Sequence, residues 1–294
     1  MRLPARLLLA CLLVANAFHG SSAATTVRLP AALCPASDAI FWNGFEDIVI
    51  PSQPSNGSGG TYPGDVTRTV AVPGVGNRNY YLHLPPAYTP TQAWPLVLAL
   101  HGAGGAGTAP AAAQQARTDW SGIADSAGFI IIASVATGGS GGWIPDTDIP
   151  AMLAEIDDTA AAYNVERSRI VAWGFSAGGH VAHGLALTHT SLFASYGVSA
   201  GVLRAFACSV PGDPSSPACA TFLPAVSPKI PVDIHVGTSD SLYPESLADV
   251  TRFTSAGWEQ ERMLFFRPVA GGHAYTPAHL SQIWNNLCPF AVGP

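Results

Sequence analysis

The sequence carries little charge. Charged residues make up 11% of its 294 positions, and Lys229 is the only lysine. Binding to nucleic acid depends on clustered lysine and arginine side chains that neutralise phosphates, and no stretch of the chain supplies such a cluster. We therefore expect no nucleic-acid partner. The formal net charge of −6 bears on solubility and says little about the substrate.

Long hydrophobic runs are confined to the N-terminus. Leu7–Ala17 is mostly apolar, two arginines precede it, and small residues follow at Ser22–Ala24. This three-part pattern is typical of a secretory signal peptide, and the run is too short to span a bilayer comfortably. We expect residues 1–24 to be removed by cleavage after Ala24, with Ala17 as a second option. The mature protein is then exported to the periplasm or the medium, without a membrane anchor.

The cysteines lack the Cys-x-x-Cys spacing of zinc sites, and we expect no metal. Cys11 lies in the predicted signal peptide, which leaves four cysteines in an oxidising compartment. Four cysteines allow three pairings, and free thiols are the alternative to all of them. We favour Cys208–Cys219, because these residues flank a turn region rich in proline, glycine and serine. Cys34–Cys288 is then the second disulfide.

Composition divides the mature chain into two parts. Residues 25–64 contain a short aromatic cluster at Ile40–Phe45, followed by a Pro/Ser/Gly-rich stretch at Pro51–Pro63. Such a composition is typical of a flexible linker. We therefore predict a single catalytic domain over residues 65–294.

Strand and helix patterns alternate through this domain. Two β-prone runs, Val66–Val72 and Tyr80–Leu84, flank a Pro/Gly/Asn turn and predict a leading antiparallel hairpin. The later apolar runs fit strands buried on both faces of a parallel sheet. We predict an α/β fold with a doubly wound, mostly parallel sheet. The inner strands are expected at Leu96–Leu100, Phe129–Ala133, Ile170–Trp173, Phe193–Val198, Val232–Val236 and Met263–Phe266, and the helices at Asp119–Ala127, Ile149–Tyr163, Ala177–Thr188 and Glu245–Ala256. Asp148 is the predicted N-cap of the second helix, with Pro150 in its first turn.

The motif Gly174-Phe175-Ser176-Ala177-Gly178 connects a predicted buried strand directly to a predicted helix. A serine on such a turn has a strained backbone that exposes its hydroxyl above the sheet, and flanking glycines avoid collisions with neighbouring backbone. The N-terminus of the following helix favours negative charge nearby. Ser176 is therefore the candidate nucleophile.

A second motif, His101-Gly102-Ala103-Gly104-Gly105, follows another predicted buried strand. A loop of this kind directs a backbone N–H at an oxyanion, together with the N–H that follows the nucleophile. Ala177 is the expected second donor, and Ala103 is the expected first donor, with Gly104 as the alternative. A phosphate-binding loop is disfavoured, because the Gly-Lys-Ser/Thr ending and the GxGxxG spacing are both missing.

The nucleophile needs a base and an acid, which in this fold follow it in the order serine, acid, histidine. Asp240 lies four residues beyond a predicted strand, and His273 lies in a Gly-Gly-His loop beyond the last one. We expect His273 to accept the serine proton and Asp240 to orient the imidazole. Asp213, Asp233 and Asp249 are weaker candidates for the acid. His180 and His183 have the i, i+3 spacing of a metal pair, but no third ligand is evident, so packing is the favoured role.

In combination and order, these segments resemble the polyhydroxybutyrate-depolymerase-like esterases, a group that includes feruloyl and acetylxylan esterases. The resemblance covers about Val66 to Cys288 and includes the leading hairpin, PLVLALHG, GFSAGG, VGTSD and the GGH segment. It implies an α/β-hydrolase fold and hydrolysis of carboxylic esters through an acyl-enzyme, with no cofactor. It also implies the triad Ser176, His273 and Asp240.

The substrate is less defined by sequence than the triad. Short-acyl, hydroxycinnamoyl and hydroxyalkanoate-oligomer esters all fit. Trp143 follows a glycine-rich loop at the catalytic edge, so we assign it with His101 to substrate binding, although a core tryptophan is an equally good interpretation. A serine peptidase, an acyltransferase and a non-catalytic binding protein on the same fold are the alternatives. We expect a monomer.

Overall fold

The computed structural model describes residues 51–61, 63–208 and 218–293. The predicted signal peptide, the aromatic cluster at Ile40–Phe45, and Cys34 lie outside these ranges. Within them, every helix is too short or too polar to cross a membrane.

An eight-stranded sheet organises the described chain, with strand order β1-β2-β4-β3-β5-β6-β7-β8. The first two strands form an antiparallel hairpin, β2 pairs antiparallel with β4, and all the remaining pairs are parallel. The predicted fold class is therefore confirmed. The strands are β1 (Gly64–Val72), β2 (Gly76–Leu84), β3 (Trp94–Leu100), β4 (Ile130–Ala133), β5 (Val165–Phe175), β6 (Ser195–Ser199), β7 (Val232–Gly237) and β8 (Leu264–Val269).

Helices cover both faces of the sheet. Alternate residues of β3 face opposite layers: Leu96 and Leu98 belong to one apolar cluster, and Val97 and Ala99 belong to the other. This two-sided burial explains why the inner strands are continuous apolar runs. The helices are α1 (Ala109–Ala127), α2 (Pro145–Ala162), α3 (Ala177–Thr188), α4 (Ala218–Ala225), α5 (Tyr243–Ser255) and α6 (Pro277–Leu287), and a 3₁₀ turn covers Leu203–Ala205.

Two predicted helix starts are wrong. Helix α1 begins at Ala109 instead of Asp119, with a proline in its first turn, where a missing N–H costs nothing. Helix α2 begins at Pro145, so Asp148 is not its N-cap and Pro150 lies inside the helix. In both helices a proline in the first two positions marks the true start, which lies upstream of the predicted one and has no side-chain N-cap.

The segment 51–61, expected to be part of a flexible linker, lies against β5. The backbone of Ser55 donates to Val165 O at 2.8 Å, and Arg167 N–H donates to Gln53 O at 2.9 Å. The carboxylate of Glu166 accepts hydrogen bonds from the Ser52 hydroxyl and the Gln53 N–H. These residues are therefore held on the domain by backbone pairing that composition does not reveal.

A disulfide joins Cys208 and Cys219, whose Cα atoms are 4.9 Å apart, as expected from their spacing. Cys288 is buried at the C-terminal end of α6. Its predicted partner Cys34 lies outside the described residues, so the Cys34–Cys288 pairing stays a prediction.

Candidate active site

Ser176 occupies a tight turn between β5 and α3. Its backbone has φ 52° and ψ −118°, a left-handed conformation that a side-chain-bearing residue rarely adopts. Ser176 N–H donates to Ser199 O at 2.9 Å, which holds the turn on β6. A Cβ at Gly174 would lie 2.2 Å from Gly178 O, and one at Gly178 would lie 2.2 Å from Leu100 O. Both glycines are thus required by the close approach of neighbouring backbone.

The three predicted triad residues come together at the carboxyl edge of the sheet. His273 Nε2 lies 2.8 Å from Ser176 Oγ, and His273 Nδ1 lies 2.7 Å from Asp240 Oδ2. The carboxylate only accepts at neutral pH, so Nδ1 carries the proton and Nε2 is left to accept from the serine hydroxyl. The arrangement can therefore move a proton from the serine to the imidazole.

Asp240 is positioned by the turn that follows β7. Its N–H donates to Gly237 O at 3.0 Å, and its Oδ1 accepts the N–H of Leu242 at 2.9 Å. The carboxylate is fully buried, whereas 42% of the His273 side chain is exposed. One oxygen of Asp240 is thus fixed by backbone, and the other is directed at the imidazole.

The His273 loop follows β8 and rests on aromatic side chains. The ring of Phe175 packs on His273 with centroids 5.1 Å apart, and Tyr275 contacts Phe175 edge-on at 4.9 Å. The Tyr275 hydroxyl donates to Asp119 Oδ2 at 2.5 Å, which connects this loop to α1. The imidazole is therefore supported from its side as well as by Asp240.

The β3–α1 loop, residues 101–108, runs beside Ser176. A Cβ at Gly102 would lie 2.9 Å from the ring of Phe175 and 3.3 Å from Ser176 Cβ, so the loop passes directly over the turn. Ala103 and Gly104 are exposed in this loop. Ala177 is the first residue of α3, and the first amides of a helix have no partner within it. The predicted oxyanion donors thus lie in segments that border Ser176.

His101 and Trp143, both assigned to substrate binding from the sequence, contact each other. Their rings lie 4.8 Å apart, and Trp143 Nε1–H donates to His101 O at 2.9 Å. The His101 ring is buried, with Nδ1 2.8 Å from Gly102 O and Nε2 accepting Ala136 N–H at 3.3 Å. Burial lowers the pKa of His101, which keeps the ring neutral. This placement disfavours a direct substrate contact for His101, because both ring nitrogens are used inside the protein. Trp143 is half-buried, so part of its ring is accessible.

The histidine pair on α3 has packing roles. His180 Nδ1 accepts Val202 N–H at 2.9 Å, and His183 Nδ1 lies 3.1 Å from the Tyr196 hydroxyl. Burial, together with the neighbouring His180, lowers the pKa of His183 to about 3. In the part of the chain that the structure describes, no group of three or more His, Cys, Asp or Glu side chains is arranged to hold a metal ion.

The weaker candidates for the acid have other partners or lie outside the described residues. Asp233 is buried in β7 and accepts from the Asn286 amide at 2.6 Å. Asp249 is buried in α5, where it accepts from Leu203 N–H and Arg252. Asp213 lies outside the described residues. The described alternatives are therefore engaged away from His273.

Sequence reasoning missed three residues that support the site: Phe175, Tyr275 and Asp148. Phe175 and Tyr275 each lie within two residues of a triad member, and an aromatic side chain at that distance was the available signal. Asp148 was noticed only as a helix cap. Its contacts to the loop that carries Trp143 depend on the fold and leave no pattern in the sequence.

Known protein structures share this fold. A ferulic acid esterase is 18% identical with a TM-score of 0.55, over 76% of this chain and 96% of that one. FphF, a fluorophosphonate-binding serine hydrolase of Staphylococcus aureus, is 16% identical with a TM-score of 0.55, over 78% and 96% of the two chains. A putative dipeptidyl aminopeptidase IV from Bacteroides ovatus is 17% identical with a TM-score of 0.61. That match covers 76% of this chain and 35% of the peptidase.

The order and pairing of the strands and the placement of the helices define the α/β-hydrolase fold. Within that class, residues 82–198 match the family model BD-FAE, so the expected resemblance to the feruloyl-esterase-like α/β-hydrolases is confirmed over this segment. The resemblance to polyhydroxybutyrate depolymerases stays a prediction. No curated protein sequence gives a significant match to the chain.

Proposed function

We propose that the chain is an exported serine esterase that hydrolyses carboxylic esters through an acyl-enzyme on Ser176. The observation that carries this proposal is the unbroken hydrogen-bonded path from Ser176 Oγ through both nitrogens of His273 to Asp240 Oδ2, with distances of 2.8 and 2.7 Å. A serine hydroxyl is a weak nucleophile at neutral pH unless a base accepts its proton. This path supplies the base and its orienting acid.

In acylation, Ser176 acts as the nucleophile and His273 acts first as a base and then as an acid. Ser176 Oγ attacks the ester carbonyl carbon while its proton passes to His273 Nε2. The carbonyl oxygen becomes an oxyanion, which accepts hydrogen bonds from Ala177 N–H and from Ala103 or Gly104 N–H. Collapse of the tetrahedral intermediate breaks the ester C–O bond, and His273 Nε2–H protonates the departing alkoxide. The alcohol leaves, and the acyl group remains on Ser176.

Deacylation repeats these steps with water. His273 Nε2 takes a proton from a water molecule while the water oxygen attacks the acyl carbon. His273 then passes this proton to Ser176 Oγ as the bond between Oγ and the acyl carbon breaks. Asp240 stabilises the imidazolium that forms in both halves, because its buried carboxylate is 2.7 Å from Nδ1. No step calls for a cofactor.

Small carboxylic esters are the proposed substrate class, with short-acyl, hydroxycinnamoyl and hydroxyalkanoate-oligomer esters as the candidates. Support comes from the BD-FAE match and from neighbours described as a ferulic acid esterase and a fluorophosphonate-binding serine hydrolase. The half-buried ring of Trp143, beside the β3–α1 loop, is an apolar surface that suits an aromatic acyl group. Peptide hydrolysis is the alternative, and the peptidase neighbour supports it weakly because the match covers only 35% of that chain.

Export is part of the proposal. The signal-peptide pattern of residues 1–24 and the Cys208–Cys219 disulfide both suit an oxidising compartment outside the cytoplasm. Expression of the full chain in a bacterial host should yield protein in the periplasm or medium whose intact mass corresponds to a chain starting at Thr25. Recovery of the uncleaved chain from the cytoplasm alone would contradict this part.

One assay panel tests the activity: p-nitrophenyl acetate, p-nitrophenyl butyrate, methyl ferulate and a peptide p-nitroanilide. We expect the wild type to hydrolyse at least one ester and Ser176→Ala to lose about 10⁴-fold or more in kcat. Ser126→Ala is the matched control, since Ser126 is an exposed serine near the C-terminal end of α1 whose hydroxyl bonds only within its helix. It should keep full activity.

A fluorophosphonate probe gives an independent readout, because it forms a covalent bond with an activated serine hydroxyl. Peptide mass mapping should find the adduct on Ser176 in the wild type and in Ser126→Ala. Ester turnover that survives in Ser176→Ala, or a wild type that is inert toward every ester, would contradict the proposed function. Preferential cleavage of the anilide would favour the peptidase alternative.

A further inference from the structure

Asp148 holds both ends of the loop that carries Trp143. This β4–α2 loop, residues 134–144, lies between β4 and α2. The Asp148 side chain is fully buried, and its carboxylate accepts from Thr137 N–H at 3.2 Å, Thr137 Oγ1 at 2.7 Å and Ile144 N–H at 2.8 Å. One carboxylate thus closes the loop on itself.

Arg78 balances the buried charge and adds a third attachment. Its Nη2 lies 3.2 Å from Asp148 Oδ1 and 2.5 Å from Val135 O, and its side chain is 9% exposed. A buried carboxylate is costly unless it is paired and hydrogen bonded, and here every donor comes from the hairpin or from the loop. The hydrogen bonds of this pair therefore fix the conformation of one loop.

The β4–α2 loop is in turn hydrogen bonded to the β3–α1 loop at three points. Ala136 N–H donates to His101 Nε2 at 3.3 Å, and Trp143 Nε1–H donates to His101 O at 2.9 Å. In the opposite direction, Gly105 N–H donates to Ser140 O at 3.0 Å. The two backbones also approach closely, since a Cβ at Gly141 would lie 2.2 Å from Gly105 O.

These contacts lie on both sides of the backbone segment next to Ser176. His101 and Gly105 are tied to the β4–α2 loop, and Ala103 and Gly104 lie between them. The backbone of Ala103 and Gly104 is thus held at both sides by the β4–α2 loop. That loop is in turn fixed by Asp148.

We propose that Asp148, paired with Arg78, is a positioning residue for oxyanion stabilisation. This inference rests on the proposed esterase function. Asp148 does not touch substrate; it acts through the β4–α2 loop on the backbone of residues 103 and 104. An oxyanion is stabilised only by donors at the correct place, and small displacements of positioned groups have large effects on rate. Asp148 therefore lowers the energy of the transition state and has much less effect on the affinity for the ester.

Asp148→Asn tests the proposal. The amide keeps the size of the side chain, but its NH₂ end cannot accept from the N–H groups of Thr137 and Ile144, and Arg78 loses its charged partner. We expect kcat for p-nitrophenyl butyrate to fall about 10- to 100-fold, with KM changed by less than about threefold. The inhibition constant of butylboronic acid, which forms a tetrahedral adduct with an active serine, should weaken by a factor similar to the loss in kcat.

The matched control is Asp158→Asn. Asp158 lies on the same helix, about 15 Å further along its axis, and pairs with Arg68 of the hairpin at 2.7 Å. It should lose some stability and keep the wild-type kcat and boronate affinity. Thr137→Val is a milder second variant that removes one donor to Asp148, and it should show a smaller loss of kcat in the same direction. It keeps the test valid if Asp148→Asn does not fold.

The outcomes separate the two proposals. If the wild type is active, Ser176→Ala is inert, and folded Asp148→Asn or Thr137→Val keeps wild-type kcat and boronate affinity, the positioning role is wrong and the esterase function stands. A parallel loss in Asp158→Asn would show a general effect of destabilisation and would also overturn the role. If the wild type hydrolyses no ester, both proposals fail.

Discussion

The hydroxyl of Tyr275 donates a hydrogen bond of 2.5 Å to the carboxylate of Asp119, so the loop that carries His273 is attached to α1. Burial raises the pKa of Tyr275 far above its usual value, and the bond to Asp119 raises it further. The phenol therefore stays protonated and donates across the working pH range. Its ring also supports Phe175, which packs on the His273 imidazole.

Tyr275→Phe should reduce kcat while leaving the fold intact. The ring contacts remain, but the attachment to α1 is lost and the imidazole gains freedom to leave the line between Ser176 and Asp240. We expect kcat to fall roughly three- to tenfold, and loss of the hydrogen bond to cost about 1 kcal/mol in the free energy of unfolding. Steady-state kinetics and urea unfolding measure the two effects.

Tyr163→Phe is the control for this prediction. It removes a comparable hydrogen bond, from Tyr163 to Thr61 O at 2.9 Å, in a part of the protein that does not contact the triad. Its stability cost should be similar and its kcat unchanged. Equal kcat values in the two variants would mean that the Tyr275–Asp119 bond has no role in placing His273.

Gly178→Ala should destroy the geometry around Ser176. A Cβ there would lie 2.2 Å from Leu100 O and 2.6 Å from His101 O, and backbone atoms of a central strand cannot move aside cheaply. The serine turn and β3 must separate, which displaces Ser176 and the β3–α1 loop together. We expect a loss of more than about 100-fold in kcat and several kcal/mol in stability.

Gly122→Ala is the matched glycine variant. Gly122 is exposed in α1, and nothing lies within 4 Å of a Cβ added there. Because alanine has a higher helix propensity than glycine, we expect the free energy of unfolding to rise by about 0.5 to 1 kcal/mol with activity unchanged. Thermal unfolding and the ester assay compare both variants. A folded, active Gly178→Ala would show that the turn can relax.

Glu155 predicts a pH dependence of stability. It is fully buried on α2, and burial raises its pKa to about 8, although Ser134 and Arg78 act to lower it. In the folded protein this carboxyl is therefore protonated at neutral pH, whereas in the unfolded chain it ionises near 4.5. The folded state binds the extra proton between these values, so its contribution to stability is complete below pH 4.5 and is lost as the pH rises towards 8.

Glu155→Gln should remove this slope. Between pH 6 and 7.5 the wild type should lose about 2 kcal/mol relative to the variant, from about 1.4 kcal/mol per pH unit. Urea unfolding at four pH values measures the difference. Parallel stability curves for the two proteins would mean that Glu155 ionises normally in the fold.

Much of the candidate site can be predicted from the sequence, because the patterns that indicate it are local. The buried run before Ser176, the glycines on either side and the helix after it all lie within about twenty residues of sequence. The order of Ser176, Asp240 and His273 follows from strands that end at the same edge of a parallel sheet. The leading hairpin is equally local, since a Pro/Gly turn separates its two strands.

The supporting contacts could not be predicted in this way. Asp148 reads as a helix cap from its neighbours, yet its partners Arg78 and Thr137 are 70 and 11 positions away. His101 lies in a loop motif that suggests contact with substrate, and only the packing of the β4–α2 loop buries its ring. The segment 51–61 is polar and rich in glycine and serine, and only its pairing with β5 shows that it is held.

The sequence by itself determined the residues of the candidate site: which serine sits in a strained turn, which histidine and aspartate follow the last strands, and which loop borders them. These depend on hydrophobic period, glycine placement and chain order, all of which act over short distances. Only the tertiary structure decided how the loops are held, through Asp148, Tyr275 and the buried ring of His101. Hydrogen bonds between distant segments are set by the three-dimensional path of the backbone, and no local pattern encodes them.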